Sequence, residues 1–466
     1  MHLGDDLLPP SQKKDADAAT FSSGPWWREL NRYHWFVFVV ASLGWLFDTM
    51  DQQLFNIART PAMRALAPDS VARSSGDVTS IFLIGWGTGG LLFGILGDLI
   101  GRARSMVLTI LLYSLFTGLS ALSTGFWDFA AYRFLTGLGV GGQFAVGVSL
   151  VAEVMPERAR TPALGLLQAL SAIGNITAAL CGIGLAFLGR AGVIEGAQSW
   201  RYMFLIGTVP ALLVLVIMRR LQEPARWKAL AAGKAIGERF RAYGSELFSD
   251  PRWTRNAVVG LLLASSGIIG LWAIGFFSID FIREIIRPRL EKGGLSPYDV
   301  VFWENIWANV TSVVLNVGAF FGIYAFSRAA ARLGRRPAFA ISFVCALGST
   351  ALVFGLLNQF SDIFWMIPLM GFCQLALFGG YAIYFPELFP TRLRSTGISF
   401  CYNGARFVAA TGPFIQGHLR DSFRTLAGGD TVLGFRWAGL VMCSIFLVGL
   451  LVLPFAPETK GQPLPE

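Results

Sequence analysis

The sequence predicts an all-α membrane protein whose twelve transmembrane helices form two six-helix, pseudo-symmetric bundles. Three observations lead to this prediction: an apolar composition, twelve long apolar runs and an internal repeat. Of the 466 residues, 54% are hydrophobic and only 14% are charged, whereas soluble domains carry about 25% charged residues. The shortage of charge indicates that most of the chain does not face water.

The apolar runs set the predicted domains, since a membrane-spanning helix needs about 20 mostly apolar residues. Twelve runs meet this length, at 34–57, 78–99, 104–124, 127–152, 161–188, 201–219, 256–281, 304–327, 338–357, 362–386, 395–418 and 432–455. The predicted parts are a tail at 1–33, a bundle at 34–219, a linker at 220–255, a bundle at 256–455 and a tail at 456–466.

The basic residues predict the orientation of these helices. With both tails inside, 24 of the 38 Lys and Arg fall in inner segments, as the positive-inside rule requires. We therefore expect a multi-pass inner-membrane protein, a monomer in the lipid bilayer, with both termini in the cytoplasm. The net charge of +9 lies in short clusters between apolar runs, a pattern that argues against a nucleic-acid partner.

The internal repeat relates the two halves of the chain. Glu153 to Arg160 matches Glu387 to Arg394 at an offset of 234, and Gly101-Arg102 matches Gly334-Arg335 at an offset of 233. Each match falls at the same end of equivalent predicted helices. Parallel repeats of this kind are a transporter architecture, with the substrate site at their interface.

The sequence lacks the residue patterns that other classes of function require. The five Cys lie inside apolar runs without a CxxC pair, and the three His are scattered, so neither a metal site nor a disulfide framework is indicated. No nucleophile–base pair or phosphate-binding loop occurs in the predicted loops. We expect no cofactor and no enzymatic activity.

The loop after the second predicted helix carries a family signature. Gly97-Asp98-Leu-Ile-Gly101-Arg102-Ala-Arg104 resembles the signature loop of the major facilitator superfamily, and the resemblance covers nearly the whole chain. It implies that Asp98 and Arg102 act at an inner gate. The second copy has Ala331 where the Asp should be.

Further charges at predicted helix ends resemble the sugar-porter branch of this family and its metabolite–proton relatives. The resemblance implies gating roles, while the alternative is packing, because helix ends gather charges that complement their dipoles. The predicted gating residues are Asp98, Arg102, Glu153, Arg160, Glu223, Arg226, Glu387, Arg394 and Glu458.

Asp48 and Asp51 are carboxylates inside the first predicted helix, where ionisable groups are costly and by default mark function. At spacing i, i+3 they share one helix face. From a helix start near His34, Asp48 lies roughly 21 Å deep at 1.5 Å per residue. When two carboxylates lie this close, ionisation of one makes ionisation of the other less favourable, which suits a proton carrier. The pair resembles the Asp-x-x-Asp of metabolite–proton symporters, although Thr49 replaces their usual Gly, and a purely structural pair is the alternative.

Two cations also lie inside the predicted membrane region. Arg406, in the eleventh predicted helix, either pairs with an aspartate of the first helix or binds an anionic substrate, since a guanidinium there needs a carboxylate. Arg133, in the fourth, is a gate residue or a second anion-binding residue. Asn403 precedes Arg406 in a Tyr-Asn-x-x-Arg sequence that resembles carboxylate–proton symporters.

Several neutral side chains complete the predicted substrate site, although each is equally suited to hold helices together. These are Gln168, Asn175, Gln374 and Tyr381. Three tryptophans are candidates for the wall of a pocket or, alternatively, for the interfacial belt. They are Trp45, Trp272 and Trp307.

The leading functional hypothesis is proton-coupled import of a small organic acid by alternating access. The alternative is facilitated or proton-coupled transport of a neutral solute such as a sugar. The tandem Gln of sugar porters is missing from the seventh predicted helix, which argues against a sugar. A nutrient sensor that binds without transporting is a third class, and the short tails argue against it.

Overall fold

The computed structural model describes residues 25–195, 198–212, 214, 223, 247–275 and 277–465. Within these residues the regular elements are helices, and fifteen of them are α-helical. In the first half they are α1 (Arg32–Leu66), α2 (Val71–Ile100), α3 (Arg102–Ser120), α4 (Phe126–Val154), α5 (Glu157–Arg190) and α6 (Ser199–Ile206). In the second half they are α7 (Pro251–Ile269), α8 (Phe277–Lys292), α9 (Pro297–Leu333), α10 (Arg335–Leu356), α11 (Ile363–Leu388), α12 (Arg394–Ala409), α13 (Gly412–Leu426), α14 (Thr431–Met442) and α15 (Ile445–Val452).

Three predicted spans of the second half are each divided into two helices. A π-helical segment, Gly270–Gly275, joins α7 to α8. The eleventh span comprises α12 and α13, and the twelfth comprises α14 and α15. Of the predicted linker, the structure describes Glu223 and residues 247–255.

Among the described residues, nine helical stretches are long and apolar enough to cross a membrane. The predicted sixth span lies partly outside the described residues. The first and eleventh spans fall short because they carry buried polar side chains, among them Asp48, Asp51 and Arg406. The aspartate pair and Arg406 thus lie in these two spans, whereas Arg133 lies in Phe126–Val154, which is apolar enough to count among the nine.

Close helix crossings show that the two bundles are built alike. A Cβ at Gly89 of α2 would collide with the backbone carbonyl of Leu138 in α4. In the second bundle a Cβ at Gly322 of α9 would collide in the same way with Phe372 of α11. Gly89 and Gly322 are 233 residues apart, so the sequence repeat is also a structural repeat. The predicted fold class, two pseudo-symmetric helical bundles, is confirmed.

The bundles meet along two helix pairs, α2 with α12 and α5 with α9. The chain enters α1 and leaves after α15 at the same end of the molecule, where Arg158 of α5 pairs with Glu29 and Arg394 bonds to the carbonyl of Pro465. We call this the tail end. At the opposite end Arg190 of α5 pairs with Asp299 of α9 at 2.8 Å.

Candidate functional site

Asp48 and Asp51 are both fully buried on one face of α1. Gln52 donates a hydrogen bond to Asp48 at 3.2 Å, and the Thr117 hydroxyl of α3 donates to Asp51 at 2.8 Å. The other oxygen of each carboxylate has no hydrogen-bond partner among the described residues. The pair is thus held mainly by neutral donors and retains acceptor capacity.

Arg133 of α4 supplies the positive charge opposite Asp51. Its guanidinium lies 4.0 Å from the second Asp51 oxygen, and both side chains are fully buried. It donates hydrogen bonds to the hydroxyls of Ser120 and Thr136. Three rings surround it, those of Phe55, Phe129 and Phe204. Arg133 therefore belongs to a charge pair inside the first bundle.

Arg406 of α12 reaches the same region from the second bundle. It is 2% exposed, its Nε donates to Asn403 at 3.2 Å, and its guanidinium carbon lies 3.3 Å from the centre of the Trp86 ring. Among the described residues no carboxylate forms an ion pair with it, although Asp48 interacts with it through space. One terminal nitrogen has no hydrogen-bond partner in the described part of the chain. Arg406 therefore keeps donors available for an anion.

Asn403 connects Arg406 to the other half of the molecule. Its amide donates to the Gly141 carbonyl of α4 at 3.3 Å and to Ser399 at 3.1 Å, while its oxygen accepts from Arg406. Asn403 thus orients the arginine and spans the interface between the bundles.

Trp86 is a residue that sequence reasoning missed, because an aromatic residue in an apolar span carries no compositional signal. It stacks on Arg406, and its ring centre lies 5.4 Å from that of Trp272 in the π-helical segment. The two tryptophans come from different bundles, so they form an aromatic contact across the interface beside Arg406.

The other two predicted tryptophans have different surroundings. Trp45 packs on Phe144, which in turn stacks on Tyr402 beside Arg406. Trp307 packs edge-on against Phe360 at 4.5 Å, near the start of α11. Trp45 therefore borders the site, whereas Trp307 lies among the rings at the end of the second bundle.

The remaining residues that were predicted to bind substrate fall into two groups according to their contacts. Asn175 donates to Asn316 of α9 at 2.9 Å, Gln374 donates to Thr350 at 2.7 Å, and the Tyr381 hydroxyl donates to a backbone carbonyl of α7 at 2.8 Å. These three bonds join helices, as in the packing alternative. Gln168 is 3% exposed, and its side-chain oxygen has no partner among the described residues.

At the tail end one carboxylate joins the two halves. Glu153 of α4 pairs with Arg102 at 3.0 Å and with Arg394 of α12 at 3.2 Å, and all three side chains are fully buried. Arg102 also donates to the Thr391 carbonyl of the second half at 3.0 Å. Since Arg102 and Arg394 belong to different bundles, this network joins the two bundles at the tail end.

The repeat produces a second copy of this network. Glu387 of α11 pairs with Arg335 of α10 at 2.6 Å, and Arg335 donates to the Thr161 hydroxyl of the first half at 3.1 Å. Arg160, by contrast, bonds to the Ala152 carbonyl within its own bundle at 3.0 Å.

Two glutamates cap the helices that carry these arginines. Glu223 accepts from the backbone N–H groups of Ala103 and Arg104, and Glu458 accepts from those of Arg335 and Arg336. Glu223 precedes Pro224 whereas Glu458 follows Pro457, so an alignment that matches these two prolines would not pair the glutamates.

Glu458 illustrates the electrostatics of these caps. Burial opposes its ionisation, but four backbone N–H groups outweigh burial and lower the pKa of Glu458 below its usual value. The stabilisation from this cap is present above the usual pKa of a glutamate and is lost as the pH falls through the lowered pKa. Two predicted gate groups, the side chain of Asp98 and the residue Arg226, lie outside the described residues.

Comparisons with known proteins agree with this architecture. The sequence profile described as Major Facilitator Superfamily matches residues 35–287, and the profile described as Sugar (and other) transporter matches residues 304–466. Together these profiles cover most of both bundles.

Individual proteins match over nearly their full length. A probable 4-methylmuconolactone transporter of Cupriavidus pinatubonensis is 29% identical over 90% of this chain and 89% of its own. A cis,cis-muconate transport protein of Acinetobacter baylyi is 27% identical over 91% and 95%. The solved proton:xylose symporter XylE of E. coli superposes with a TM-score of 0.71 over 93% of this chain and 98% of its own, at 18% identity. At this low identity, the superposition shows that the two proteins share a fold.

Proposed function

The chain belongs to the Major Facilitator Superfamily of membrane transporters, and from this premise we propose that it imports a small organic acid together with protons. The observation that carries the proposal is Arg406, a buried guanidinium of which one nitrogen has no partner among the described residues, held beside a buried aspartate pair at the interface of the two bundles. A guanidinium binds carboxylates strongly because its N–H groups match both oxygens.

The anion would bind at the edge of the guanidinium, where one terminal nitrogen has no hydrogen-bond partner among the described residues, while Trp86 covers one face of the guanidinium plane. The stack fixes the plane of the guanidinium, and Asn403 fixes its rotation. A pre-oriented cation in a water-poor site favours binding, because little side-chain freedom is lost when the ligand arrives. These contacts support a carboxylate substrate.

The aspartate pair would provide the coupling. While Asp48 is ionised it attracts Arg406 and competes with the substrate carboxylate. Once Asp48 is protonated, that competition ends and Arg406 binds the substrate. Release of the proton restores the competition and hinders rebinding of the anion after it has left, so one proton and one carboxylate move together.

Alternating access would require the tail end to open. At this end Glu153 pairs with Arg102 of the first bundle and Arg394 of the second, and these pairs support a closed tail end. We propose that the tail end faces the cytoplasm, as the basic loops predict, so that opening it releases the substrate into the cell.

The names of the two relatives also support an organic acid, since one of them transports cis,cis-muconate. In proteoliposomes with an inward proton gradient, we expect labelled cis,cis-muconate or a similar carboxylate to accumulate and D-xylose not to accumulate. Accumulation of the sugar, or carboxylate entry that ignores the gradient, would overturn the proposal.

The aspartate pair has its own test in the same assay. Asp51→Asn removes the charge opposite Arg133 but keeps the size of the side chain. We expect this variant to lose gradient-driven accumulation. If Asp51→Asn keeps full accumulation, this residue is not part of the coupling site.

A further inference from the structure

A row of polar side chains runs along α3 inside the first bundle. Ser105, Thr109, Tyr113 and Thr117 recur every four residues and therefore share one helix face, and Ser114 lies next to them. Each is at most 1% exposed. Buried polar groups in a membrane helix are costly and mark functional paths, and the substrate site described above does not account for this row. We call these five residues the α3 polar row.

The row begins at the aspartate pair. Thr117 donates to Asp51 at 2.8 Å. One turn nearer the tail end, the Tyr113 hydroxyl lies beside Ser114 and within electrostatic range of both Asp48 and Asp51. Two hydroxyl-bearing turns of α3 thus face the predicted proton carriers.

The middle of the row is bordered by α4 and α1. The Thr109 hydroxyl donates to the side-chain oxygen of Gln143 at 2.8 Å. The Gln143 nitrogen points at Gly44 of α1, where a Cβ would collide with it. Gly44 lies one turn from Asp48 on α1, so Gln143 faces the backbone immediately on the tail-end side of that aspartate.

The row ends near the gate glutamate. Beyond Ser105, the buried Ser149 and Glu153 of α4 continue toward the tail end. Glu153 has one oxygen without a hydrogen-bond partner among the described residues. The same residue lines a surface cleft of about 370 Å³ together with His34 and Arg160.

Many atoms of this path lack protein partners. Within the described part of the chain, no hydrogen bond of normal geometry reaches the hydroxyls of Ser105, Tyr113, Ser114 and Ser149 or the nitrogen of Gln143. Buried polar atoms in such numbers are where internal water binds. Hydroxyls and water both donate and accept, so a chain of them passes protons.

We propose that protons travel between the aspartate pair and the tail-end side along the α3 polar row, inside the first bundle and apart from the interface that the substrate uses. The inference rests on the proposed function. Each hydroxyl or water accepts one proton and passes on another, so the row itself is unchanged. The proton leaves the aspartic acid, which becomes a carboxylate, and reaches the carboxylate of Glu153 and then solvent.

The charged groups around this path are few. Asp48 and Asp51 of α1, Arg133 of α4 and Arg406 of α12 face its inner end. Arg102, Arg394, Arg160 and His34 surround Glu153 at its outer end. Between them, among the described residues, lies the hydroxyl of Tyr113.

Thr109→Val and Gln143→Leu test the proposal, because each removes polar atoms from the middle of the path while keeping side-chain volume. Two assays in proteoliposomes separate the functions. Counterflow of labelled carboxylate without a proton gradient needs no proton release, whereas gradient-driven accumulation does. We expect near wild-type counterflow and a loss of accumulation rate of about tenfold or more, since positioned proton transfer contributes at least that much.

Two controls keep the result interpretable. Thr109→Ser retains the hydroxyl and should restore accumulation. Thr177→Val makes the same change as Thr109→Val but on α5, where among the described residues the hydroxyl bonds only to its own helix. This second control should have no effect on accumulation. If either test variant fails to fold, Ser105→Ala, which removes a single oxygen, replaces it.

The outcomes separate this inference from the proposed function. Wild-type accumulation in variants that retain counterflow would overturn the α3 route alone. A wild-type protein that exchanges the carboxylate but never accumulates it in a proton gradient would overturn the proposed function, and the route with it.

Discussion

At the level of single residues, the site depends on an arginine that is held by stacking rather than by an ion pair. The guanidinium of Arg406 lies over the Trp86 ring, and a hydrogen bond from its Nε to the Asn403 oxygen sets its orientation. A lysine has a point charge without a plane, so it reproduces neither contact. The geometry, and not the charge alone, therefore defines the proposed anion site.

Arg406→Lys tests this view. We expect the dissociation constant of the carboxylate to rise about tenfold or more, since a charge-assisted hydrogen bond contributes about 1.5–3 kcal/mol. Titration calorimetry of the purified protein measures the change. Arg287→Lys is the control, because Arg287 is more than half exposed and pairs with Glu291 on its own helix. Equal affinities in both variants would contradict a stacked, oriented guanidinium.

Asp48→Asn tests the competition for Arg406. In the wild type, affinity for the carboxylate should fall as the pH rises, because ionised Asp48 attracts the arginine. The asparagine imitates the protonated aspartate at every pH, so affinity in the variant should stay high as the pH rises. Binding isotherms at acidic and alkaline pH measure this. A variant whose affinity still falls with pH like that of the wild type would show that Asp48 is not the competitor.

The sequence identified the charged residues of the site but not their partners. Asp48, Asp51, Arg133 and Arg406 stand out because charges are rare inside apolar spans. The pairing of Asp51 with Arg133 depends on how α1 and α4 pack, and spacing within one helix does not reveal it. Trp86 was missed for a related reason, because only the approach of α12 to α2 gives it a role.

At the level of elements, ion pairs between helix ends join the two bundles at the tail end, which we propose to be a closed gate. Glu153 neutralises one arginine of each bundle in a fully buried network. Removing one partner of a buried pair leaves the others uncompensated. The gate should therefore open more readily when this carboxylate is lost.

Glu153→Gln should weaken the closed state by about 2 kcal/mol, the cost of leaving a buried charge poorly satisfied. Single cysteines placed at the interface near the tail end should then react faster with a membrane-impermeant thiol reagent. Glu29→Gln, which breaks a partly exposed pair with Arg158, should leave the reaction rate unchanged. No difference between the two variants would show that Glu153 does not hold the gate.

The turn before α10 gives a prediction on stability. Gly334 has φ of 104° and lies against the Glu458 carboxylate, a conformation that other residues adopt at a cost of about 1–3 kcal/mol. Gly334→Ala should lower the melting temperature in detergent. Gly348→Ala, within α10 and with open space for a Cβ, should keep or raise it, since alanine favours a helix. A lower melting temperature in both variants would contradict the role of the turn.

The predicted spans found the helices but not their internal breaks. Most observed helices extend several residues beyond the apolar runs, because polar ends continue the helix outside the bilayer core. The seventh span is the clearest difference, since the π-helical segment Gly270–Gly275 interrupts it. No hydropathy pattern reveals such a segment, because it arises from an extra residue within a continuous helix.

At the level of the whole molecule, the repeat builds two similar bundles that carry different groups. Matching glycine contacts and matching glutamate–arginine pairs occur in both halves. The aspartate pair belongs to the first bundle and Arg406 to the second, so their meeting depends on how the halves pack. The repeat predicted the architecture, whereas only the assembled interface shows the proposed proton and anion groups side by side.

Movement of protons together with the substrate is the defining property of a proton-coupled importer, and it can be measured directly. Purified protein is reconstituted in vesicles that contain a pH indicator, and the carboxylate is added outside without any proton gradient. The account predicts that the lumen acidifies as the anion enters, beyond the change in protein-free vesicles, and that Asp51→Asn abolishes this excess. Entry of the carboxylate with no excess acidification would contradict proton-coupled import.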